Sequence, residues 1–274
     1  MPELPEAENI CRALDRALRG RTITEVEVFT PAMRTSLLPL KSAGLEGVKV
    51  SGTRRRGRYV VADLADGRAL LMHFGMSGVV RVEGPEIPRR KHEHVFLRLD
   101  NGKAFRFECT RRFSLLEVTE KLAPGAFPAA LAGLGVEPLS DEFTGKYLHS
   151  AGRRRKVAVK LLLMDNAVVT GIGNIYANET LFASQVSPLR PASELTEEEC
   201  ERLVAEAKKI LKRAIEAGGT TISDFLNVDG SEGKFAQELR IYDRAGEPCP
   251  RCGGTVRCVR QGGRSSFYCP GCQK

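Results

Sequence analysis

Two prolines and two carboxylates open the chain, in the stretch MPELPE. An initiator methionine is usually removed when proline follows it. We therefore expect a mature chain that begins at Pro2, with a free secondary amine beside Glu3 and close to Glu6. Such an amine could act as a chemical reagent. Proline and acidic residues are also common in the first turn of a helix. The stretch by itself fits either a reactive terminus or an ordinary helix start.

Four of the eight cysteines lie close together near the C-terminus. The pattern Cys-x2-Cys-x16-Cys-x2-Cys is formed by Cys249, Cys252, Cys269 and Cys272. This spacing is typical of a four-thiolate zinc site, in which no coordination position stays open, so we predict one structural Zn2+. A segment of about thirty residues cannot bury a sufficient core, and the metal is expected to supply the cross-link. Disulfides would need an oxidising compartment, and the acidic N-terminus is unlike a signal peptide.

The basic residues form short clusters at 54–58, 89–91, 111–112 and 153–156. With 42 Lys and Arg against 34 Asp and Glu, the net charge is +8, shared evenly by the two halves of the chain. Clusters spread over several elements could line one groove for a polyanion such as nucleic acid. The alternative is a set of separate solvated surface groups.

Two glycine pairs mark further candidate contacts with phosphate. In GIGN, Gly171 and Gly173 precede a helical pattern that Asn174 opens, and helix starts bind phosphate readily. A dinucleotide fingerprint is rejected, because Tyr176 stands where a third glycine is needed. A plain helix break is the alternative. Between the cysteine pairs, glycines 262 and 263 place Arg264 at a hairpin tip, where it could reach a phosphate or be an ordinary surface arginine.

The elements that carry these residues follow from the hydrophobic pattern. Apolar residues from Ala7 to Leu18 recur at helical spacing. Seven short stretches with alternating or continuous apolar residues follow, separated by turn signals such as Asn101-Gly102, and they predict an antiparallel β-sandwich of seven or eight strands. The strands are expected at ITEVEVF, RYVVADL, ALLMHF, VVRVE, HVFLRL, AFRFEC and SLLEV.

From about residue 146 to 225 the pattern becomes helical, and Thr196 with Glu199 predicts a capping box. The fold class is therefore α+β with several domains: an N-terminal helix with an antiparallel β-sandwich, a helical domain, and a zinc-ribbon finger. No apolar run approaches the ~20 residues that a membrane-spanning helix needs. We expect a cytoplasmic protein without membrane contact.

Taken in order along the chain, the motifs resemble those of formamidopyrimidine-DNA glycosylases of the bacterial type, also called 8-oxoguanine DNA glycosylases. The resemblance covers essentially the whole chain. The matching stretches are MPELPE, HFGMSG, KHEHV, RRF, LMDNAVVTGIGNIYANETLF, GGTTISDF, FAQEL and RSSFYCPGC.

The resemblance implies a helix–two-turn–helix domain between the sandwich and the finger, with DNA between two lobes and the damaged nucleotide flipped out. We predict a catalytic domain at 1–132, a linker at 133–150, the helix–two-turn–helix domain at 151–225, a lesion-recognition loop region at 226–244 and the finger at 245–274. The partner would be double-stranded DNA containing oxidised bases or abasic sites. We expect a monomer that associates with the nucleoid when it is bound to DNA.

By the same resemblance, Pro2 is the nucleophile that forms a Schiff base with the sugar C1′, Glu3 is its general acid and base, and Glu6 holds the amine. An α-amino group, with a pKa of ~8, is closer to the unprotonated form at neutrality than lysine at ~10.4. Met76, Arg111 and Phe113 match the residues that fill the void left by the flipped base, with Arg111 pairing to the orphaned cytosine. Matches to DNA-backbone contacts are His92, Arg155, Asn174 and Arg264, the last also linked to the second elimination.

The chain departs from the family pattern at four places. Arg58 replaces the usual Lys, and arginine suits a phosphate better than a proton transfer because its pKa exceeds ~12. Cys109-Thr110 replaces Asp-Pro before RRF, and Ser114 replaces the Gly after it. Ser231 stands where some members have Lys.

The expected activity is removal of oxidised purines such as 8-oxoguanine and formamidopyrimidines, followed by β,δ-elimination at the abasic site. One alternative is the related endonuclease VIII-like branch, which prefers oxidised pyrimidines. A second is a non-catalytic protein that binds damaged DNA.

Overall fold

The computed structural model describes residues 1–220 and 233–274, which divide into two compact units. One unit comprises Met1–Ala132 with the described part of Gly218–Lys234, and the other comprises Gly133–Ala217 and Phe235–Lys274. The five-part division expected from the sequence stays a prediction. Ser231 and the first part of the expected lesion-recognition region, 226–232, lie outside the described residues.

Helix α1 (Leu4–Leu18) opens the first unit, and its apolar face is buried at Ile10, Leu14 and Leu18. The helix begins three residues before the periodic stretch expected from the sequence, because Pro5 lies in its first turn and a capping box closes that turn. Its end is followed by Gly20 at φ 76°, a left-handed conformation that glycine adopts without strain.

Eight strands form two four-stranded antiparallel sheets beside this helix. The first sheet has the order β1-β6-β7-β5 and the second the order β2-β3-β4-β8. A short helix, α2 (Leu38–Lys41), precedes β2. The strands are β1 (Ile23–Val28), β2 (Val50–Arg56), β3 (Tyr59–Leu64), β4 (Ala69–His73), β5 (Gly78–Glu83), β6 (Glu93–Leu99), β7 (Ala104–Cys109) and β8 (Leu115–Val118). The inward-facing apolar residues of both sheets share one core with α1, as expected for a sandwich.

Strand β2 is the one that the hydrophobic pattern did not reveal. Its sequence, VSGTRRR, has no apolar alternation, and it lies at the edge of its sheet, where one side needs no strand partner. Arg54 pairs with Asp63 at 2.7 Å, and Arg55 pairs with Glu8 of α1 at 2.7 Å. Two arginines of the first basic cluster are thus held by carboxylates within the protein.

The second unit packs helices α3 (Gly145–Gly152), α4 (Val159–Leu163), α5 (Asn174–Ala183) and α6 (Glu197–Glu216) around its own core. The predicted capping box is confirmed: Thr196 Oγ1 accepts the Glu199 N–H at 3.2 Å, and the Glu199 carboxylate accepts the Thr196 N–H at 3.0 Å. None of the helices in the described ranges is long and apolar enough to cross a membrane.

A hairpin of β9 (Arg257–Gln261) and β10 (Arg264–Tyr268) completes this unit and packs on α5. Phe182 of α5 and Phe267 of β10 share a small buried cluster. The side chain of Asn178 accepts the Phe267 N–H at 2.7 Å, which joins the hairpin backbone to the helix. The mixed α+β architecture predicted from the sequence is confirmed.

Candidate active site and metal centre

The N-terminal carboxylates are buried at the start of α1. Glu3 is 4% exposed and Glu6 is 3% exposed, and Pro2 is buried beside them, whereas Met1 is 47% exposed. A buried carboxylate requires hydrogen-bond donors to offset the loss of its hydration. The chain around Pro2 is therefore an ordered, buried helix start and not a frayed helix end.

Glu6 is held from two directions. One oxygen accepts the Glu3 N–H at 2.9 Å, and the other accepts the Thr220 N–H at 2.7 Å. Gly219 has φ 84°, and a Cβ at that position would lie 3.0 Å from Glu6 Oε1. The backbone at 219 and 220 can therefore approach the carboxylate this closely only because residue 219 is glycine.

Arg58 lies in the turn between β2 and β3, after Gly57 at φ 56°. Its charge acts on His73 at the end of β4. Burial, with the nearby charges of Arg58 and Arg34, lowers the pKa of His73 to about 4. The neutral ring accepts the Gly75 N–H on Nδ1 at 3.2 Å. His73 is the first residue of the HFGMSG motif, and nothing in the sequence alone indicated a role for it.

Two loops present the three residues expected to fill a void in DNA. The first, 74–77 between β4 and β5, carries Met76; the second, 110–114 between β7 and β8, carries Arg111 and Phe113. Met76 is 46% exposed and Phe113 is 56% exposed, and the Arg111 guanidinium lies 5.5 Å from the centre of the Phe113 ring. Large apolar side chains held at the surface in this way are available to a ligand.

The two loops lie side by side because the strands that flank them are paired: β5 with β7 on one side of the loops, and β4 with β8 on the other. Gly78 pairs with Cys109 in one sheet, and His73 pairs with Leu115 in the other. Next to them, the carbonyl of His92 accepts the Cys109 N–H at 2.9 Å, so His92 also lies at this end of the sandwich. The first unit thus brings Met76, Arg111, Phe113 and His92 to one place.

The second unit carries Arg155, Asn174 and Arg264. Asn174 opens α5 as predicted, after Gly171 at φ 92°, and its side-chain oxygen is buried with no hydrogen-bond partner among the described residues. Arg155 is exposed but its guanidinium donates to Asp165 at 2.9 Å. Arg264 is exposed at the first position of β10, after the two left-handed glycines of the turn.

The four C-terminal cysteines form one cluster in this unit. Their Sγ atoms all lie within 4.8 Å of one another, with 3.8 Å between Cys249 and Cys272 and 3.5 Å between Cys252 and Cys269. Four sulfurs at ~2.3 Å from a tetrahedral zinc ion would be separated by ~3.8 Å, whereas a disulfide requires ~2.05 Å. The Arg251 N–H also donates to Cys249 Sγ at 3.4 Å. The cluster therefore fits a metal ion.

Three family models match the chain. The formamidopyrimidine-DNA glycosylase N-terminal domain matches residues 1–116, the formamidopyrimidine-DNA glycosylase H2TH domain matches 134–226, and the zinc finger found in FPG and IleRS matches 246–274.

Relatives match over the full chain. The formamidopyrimidine-DNA glycosylase of Alcanivorax borkumensis is 44% identical, with 100% of both chains covered. A structure of MutM with DNA containing carbocyclic 8-oxo-G has a TM-score of 0.88 at 30% identity, again with 100% of both chains covered. A structure of Lactococcus lactis Fpg with abasic-site DNA has a TM-score of 0.87 at 29% identity, with 99% of each chain covered. The chain therefore belongs to the formamidopyrimidine-DNA glycosylase family of base-excision repair enzymes.

Proposed function

We propose that this enzyme removes oxidised purines from double-stranded DNA and then cleaves the strand at the abasic site, using the Pro2 amine as nucleophile. The observation that carries the proposal is the buried pair of carboxylates next to Pro2, with Glu6 fixed by the backbone of residues 3 and 220. Related proteins have been solved with 8-oxo-G DNA and with abasic-site DNA, which supports both steps.

The first step joins Pro2 to the sugar. The amine nitrogen attacks C1′ as the bond from C1′ to the base breaks, and the proton lost from this nitrogen leaves with the base. Glu3 protonates the ring oxygen, which opens the sugar and leaves a C1′ iminium. Proline suits this step because its secondary amine forms a permanently charged iminium, which is a good electron sink.

The iminium drives strand cleavage. Loss of a proton from C2′ sends an electron pair toward C1′ and expels the 3′ phosphate, and a second proton loss, at C4′, expels the 5′ phosphate. Glu3 is proposed to move protons in these steps, and Arg264 is proposed to assist the second. Arg58 is proposed to position a phosphate, since arginine stays protonated.

The remaining residues hold the DNA. We propose that Met76, Arg111 and Phe113 occupy the space left by the flipped base, with Arg111 donating to the orphaned cytosine. His92, Arg155, Asn174 and Arg264 are proposed to contact backbone phosphates. Because Arg155 is paired with Asp165, it would have to exchange that partner for a phosphate.

Covalent trapping tests the nucleophile. Mixed with abasic-site DNA and borohydride, the wild-type enzyme should become irreversibly linked to the DNA, since reduction of the iminium leaves a stable amine. Pro2→Gly should lose base excision far more than DNA affinity. N-terminal mass analysis is the control, because a retained Met1 would block the amine. Equal excision by wild type and Pro2→Gly would refute the assignment, and DNA binding without any trapped adduct would favour a non-catalytic protein.

A substrate panel tests the lesion class. We expect faster excision of 8-oxoguanine opposite cytosine than of thymine glycol, because the chain carries Arg111 and Phe113 in RRF together with the full MPELPE motif. Faster excision of the pyrimidine lesion would assign the enzyme to the endonuclease VIII-like class.

The metal is proposed to be one structural Zn2+ bound by Cys249, Cys252, Cys269 and Cys272. Cys272→Ser should lower the bound zinc from one ion per chain toward none and abolish DNA binding by unfolding the hairpin that carries Arg264. Elemental analysis and a binding titration measure the two effects. The matched control is Cys258→Ser, an exposed cysteine of the same finger outside the cluster, which should keep both properties. Full zinc content in Cys272→Ser would contradict the assignment.

A further inference from the structure

We propose that Ser77, Cys109 and Ser114 form a clasp that positions the two DNA-filling loops relative to each other. Met76 lies on one of these loops, and Arg111 and Phe113 lie on the other. The inference rests on the proposed function, because it assigns the three side chains a role through residues that are proposed to enter the DNA. They would be positioning residues and would not touch the reacting atoms.

Hydrogen bonds across the loops carry the proposal. Ser114 Oγ lies 2.7 Å from the carbonyl oxygen of Phe74 in the other loop and 3.1 Å from Cys109 Sγ. Ser77 Oγ accepts the Arg111 N–H at 3.1 Å and lies 3.7 Å from the same sulfur. The thiol of Cys109 therefore lies between the two serines, and each serine contacts the loop to which it does not belong.

The arrangement leaves each polar group with a partner. Ser114 has one hydroxyl hydrogen, so its Oγ donates to one of two acceptors at a time, the Phe74 carbonyl oxygen or the Cys109 sulfur. Burial raises the pKa of Cys109, but hydrogen bonds from Ser114, Ser77 and the Arg111 backbone outweigh it and leave the pKa below its ordinary value. A buried polar cluster of this kind fixes one arrangement, because any shift would leave a group unsatisfied.

The backbones of the two loops are also in close contact. A Cβ on Gly78 would lie 2.3 Å from the Phe74 oxygen and 2.4 Å from Ser114 Oγ, and one on Gly75, at φ 56°, would lie 2.8 Å from the Phe113 oxygen. Arg112, between Arg111 and Phe113, has φ 54°, which is uncommon for a residue with a side chain. The clasp thus supports a turn that is strained at Arg112. The residues on either side of Arg112, Arg111 and Phe113, are both exposed.

Fixing the loops before binding has a chemical purpose. Side chains that must enter the DNA stack bind better when their loop is already ordered, because less conformational entropy is then lost. Arg111 can discriminate the opposite base only if its guanidinium is held in register with that base. Loosening the clasp is therefore expected to weaken discrimination as well as the rate.

The test measures single-turnover excision of 8-oxoguanine opposite cytosine and opposite adenine. In Ser114→Ala and Cys109→Ala the rate opposite cytosine should fall about tenfold and the cytosine-to-adenine ratio should fall with it, a size typical of one lost buried hydrogen bond. Cys109→Ser, which keeps a donor and an acceptor, should restore most of the ratio. Ser77→Ala, at a partly exposed site, removes the contacts with the Arg111 N–H and the Cys109 sulfur but leaves Ser114 in place, and it should also lower the ratio. The matched control is Cys200→Ala, which removes a thiol that is 1% exposed in the other unit.

The outcomes separate this inference from the proposed function. A wild-type enzyme that is not trapped by borohydride would overturn the function and the clasp with it. If wild type is active and the folded variants, checked by thermal unfolding, keep the wild-type ratio, the clasp is wrong while the function stands. Rates that fall by one common factor opposite both bases also overturn it, since loss of folded protein alone would do this.

Discussion

At the scale of single residues, His73 links the Arg58 turn to the Met76 loop. Its ring lies 4.7 Å from the ring of Tyr59 and accepts the Gly75 N–H, which a protonated ring cannot do. The lowered pKa, about 4, keeps the ring neutral at physiological pH. The hydrogen bond that holds the 74–77 loop at Gly75 therefore depends on a neutral His73 ring.

The lowered pKa of His73 predicts that the stability of the protein depends on pH below 6.5. An unfolded histidine takes up a proton near pH 6.5, whereas folded His73 does so only near pH 4. Between pH 6.5 and 4 the unfolded state therefore binds more protons than the folded state. The stability that neutral His73 contributes is fully present above pH 6.5 and is lost as the pH falls through about 4. NMR of 15N-labelled imidazoles should show a ring that stays neutral at pH 5.5, and His73→Asn identifies that resonance.

Arg58→Met provides the matched comparison. Removing this positive charge should move the pKa of His73 part of the way back toward 6.5, because Arg58 is one of the causes of the shift. A His73 resonance that titrates near 6.5 in the wild type would contradict the assigned neutrality.

At the scale of elements, Glu179 joins α5 to the chain segment that leads into the finger. It is 5% exposed, and its carboxylate accepts backbone N–H groups of Arg240, Ile241 and Tyr242 at 2.8 to 3.1 Å. Burial raises the pKa of Glu179 although these hydrogen bonds oppose the rise. The carboxylate thereby fixes where the finger begins relative to the helix.

Glu179→Gln should lower the free energy of unfolding of this unit by about 2 kcal/mol, because one amide oxygen cannot satisfy all these donors and the NH2 group faces other donors. Urea unfolding measures the loss. The control with the same chemical change is Glu198→Gln on α6, whose side chain is 82% exposed, and it should stay within about 0.5 kcal/mol of wild type. A Glu179→Gln protein as stable as this control would show that the carboxylate is dispensable.

The elements differ in how far the sequence could predict them. Strands such as β6 were predictable because their apolar residues are buried, and the α6 capping box because it is local. Strand β2 was not, since ion pairs from Arg54 and Arg55 hold it instead of an apolar face. Family membership was predictable from collinear motifs and is confirmed by the full-length relatives.

The partners of site residues needed the structure. Glu6 was expected to hold the amine, but nothing local indicates that its second oxygen accepts the N–H of Thr220, 214 residues further along the chain. Cys109 and Ser114 appeared in the sequence only as departures from a family pattern. Their contact with Ser77 depends on strand pairing between distant segments, which spacing along the chain does not encode.

At the scale of the whole molecule, the clusters of basic residues overstate the number of positive charges available to DNA. Arg54, Arg55, Arg90 and Arg155 all have carboxylate partners within the protein. Binding would then rest on fewer phosphate contacts than the clusters suggest. Each contact that does form should release condensed counterions and make the affinity salt-dependent.

Salt titration can count these contacts. The logarithm of the binding constant should fall linearly with the logarithm of salt concentration, and Arg155→Gln should reduce the slope by about 0.9, the value for one lost phosphate contact. Asp165→Asn should instead strengthen binding, because it removes the carboxylate that competes for Arg155 at 2.9 Å. Arg202→Gln on α6 makes the same charge change where no DNA contact is proposed, so its slope should equal that of wild type. If Arg155→Gln and Arg202→Gln have the same slope, Arg155 acts through overall charge alone and its assigned phosphate contact is wrong.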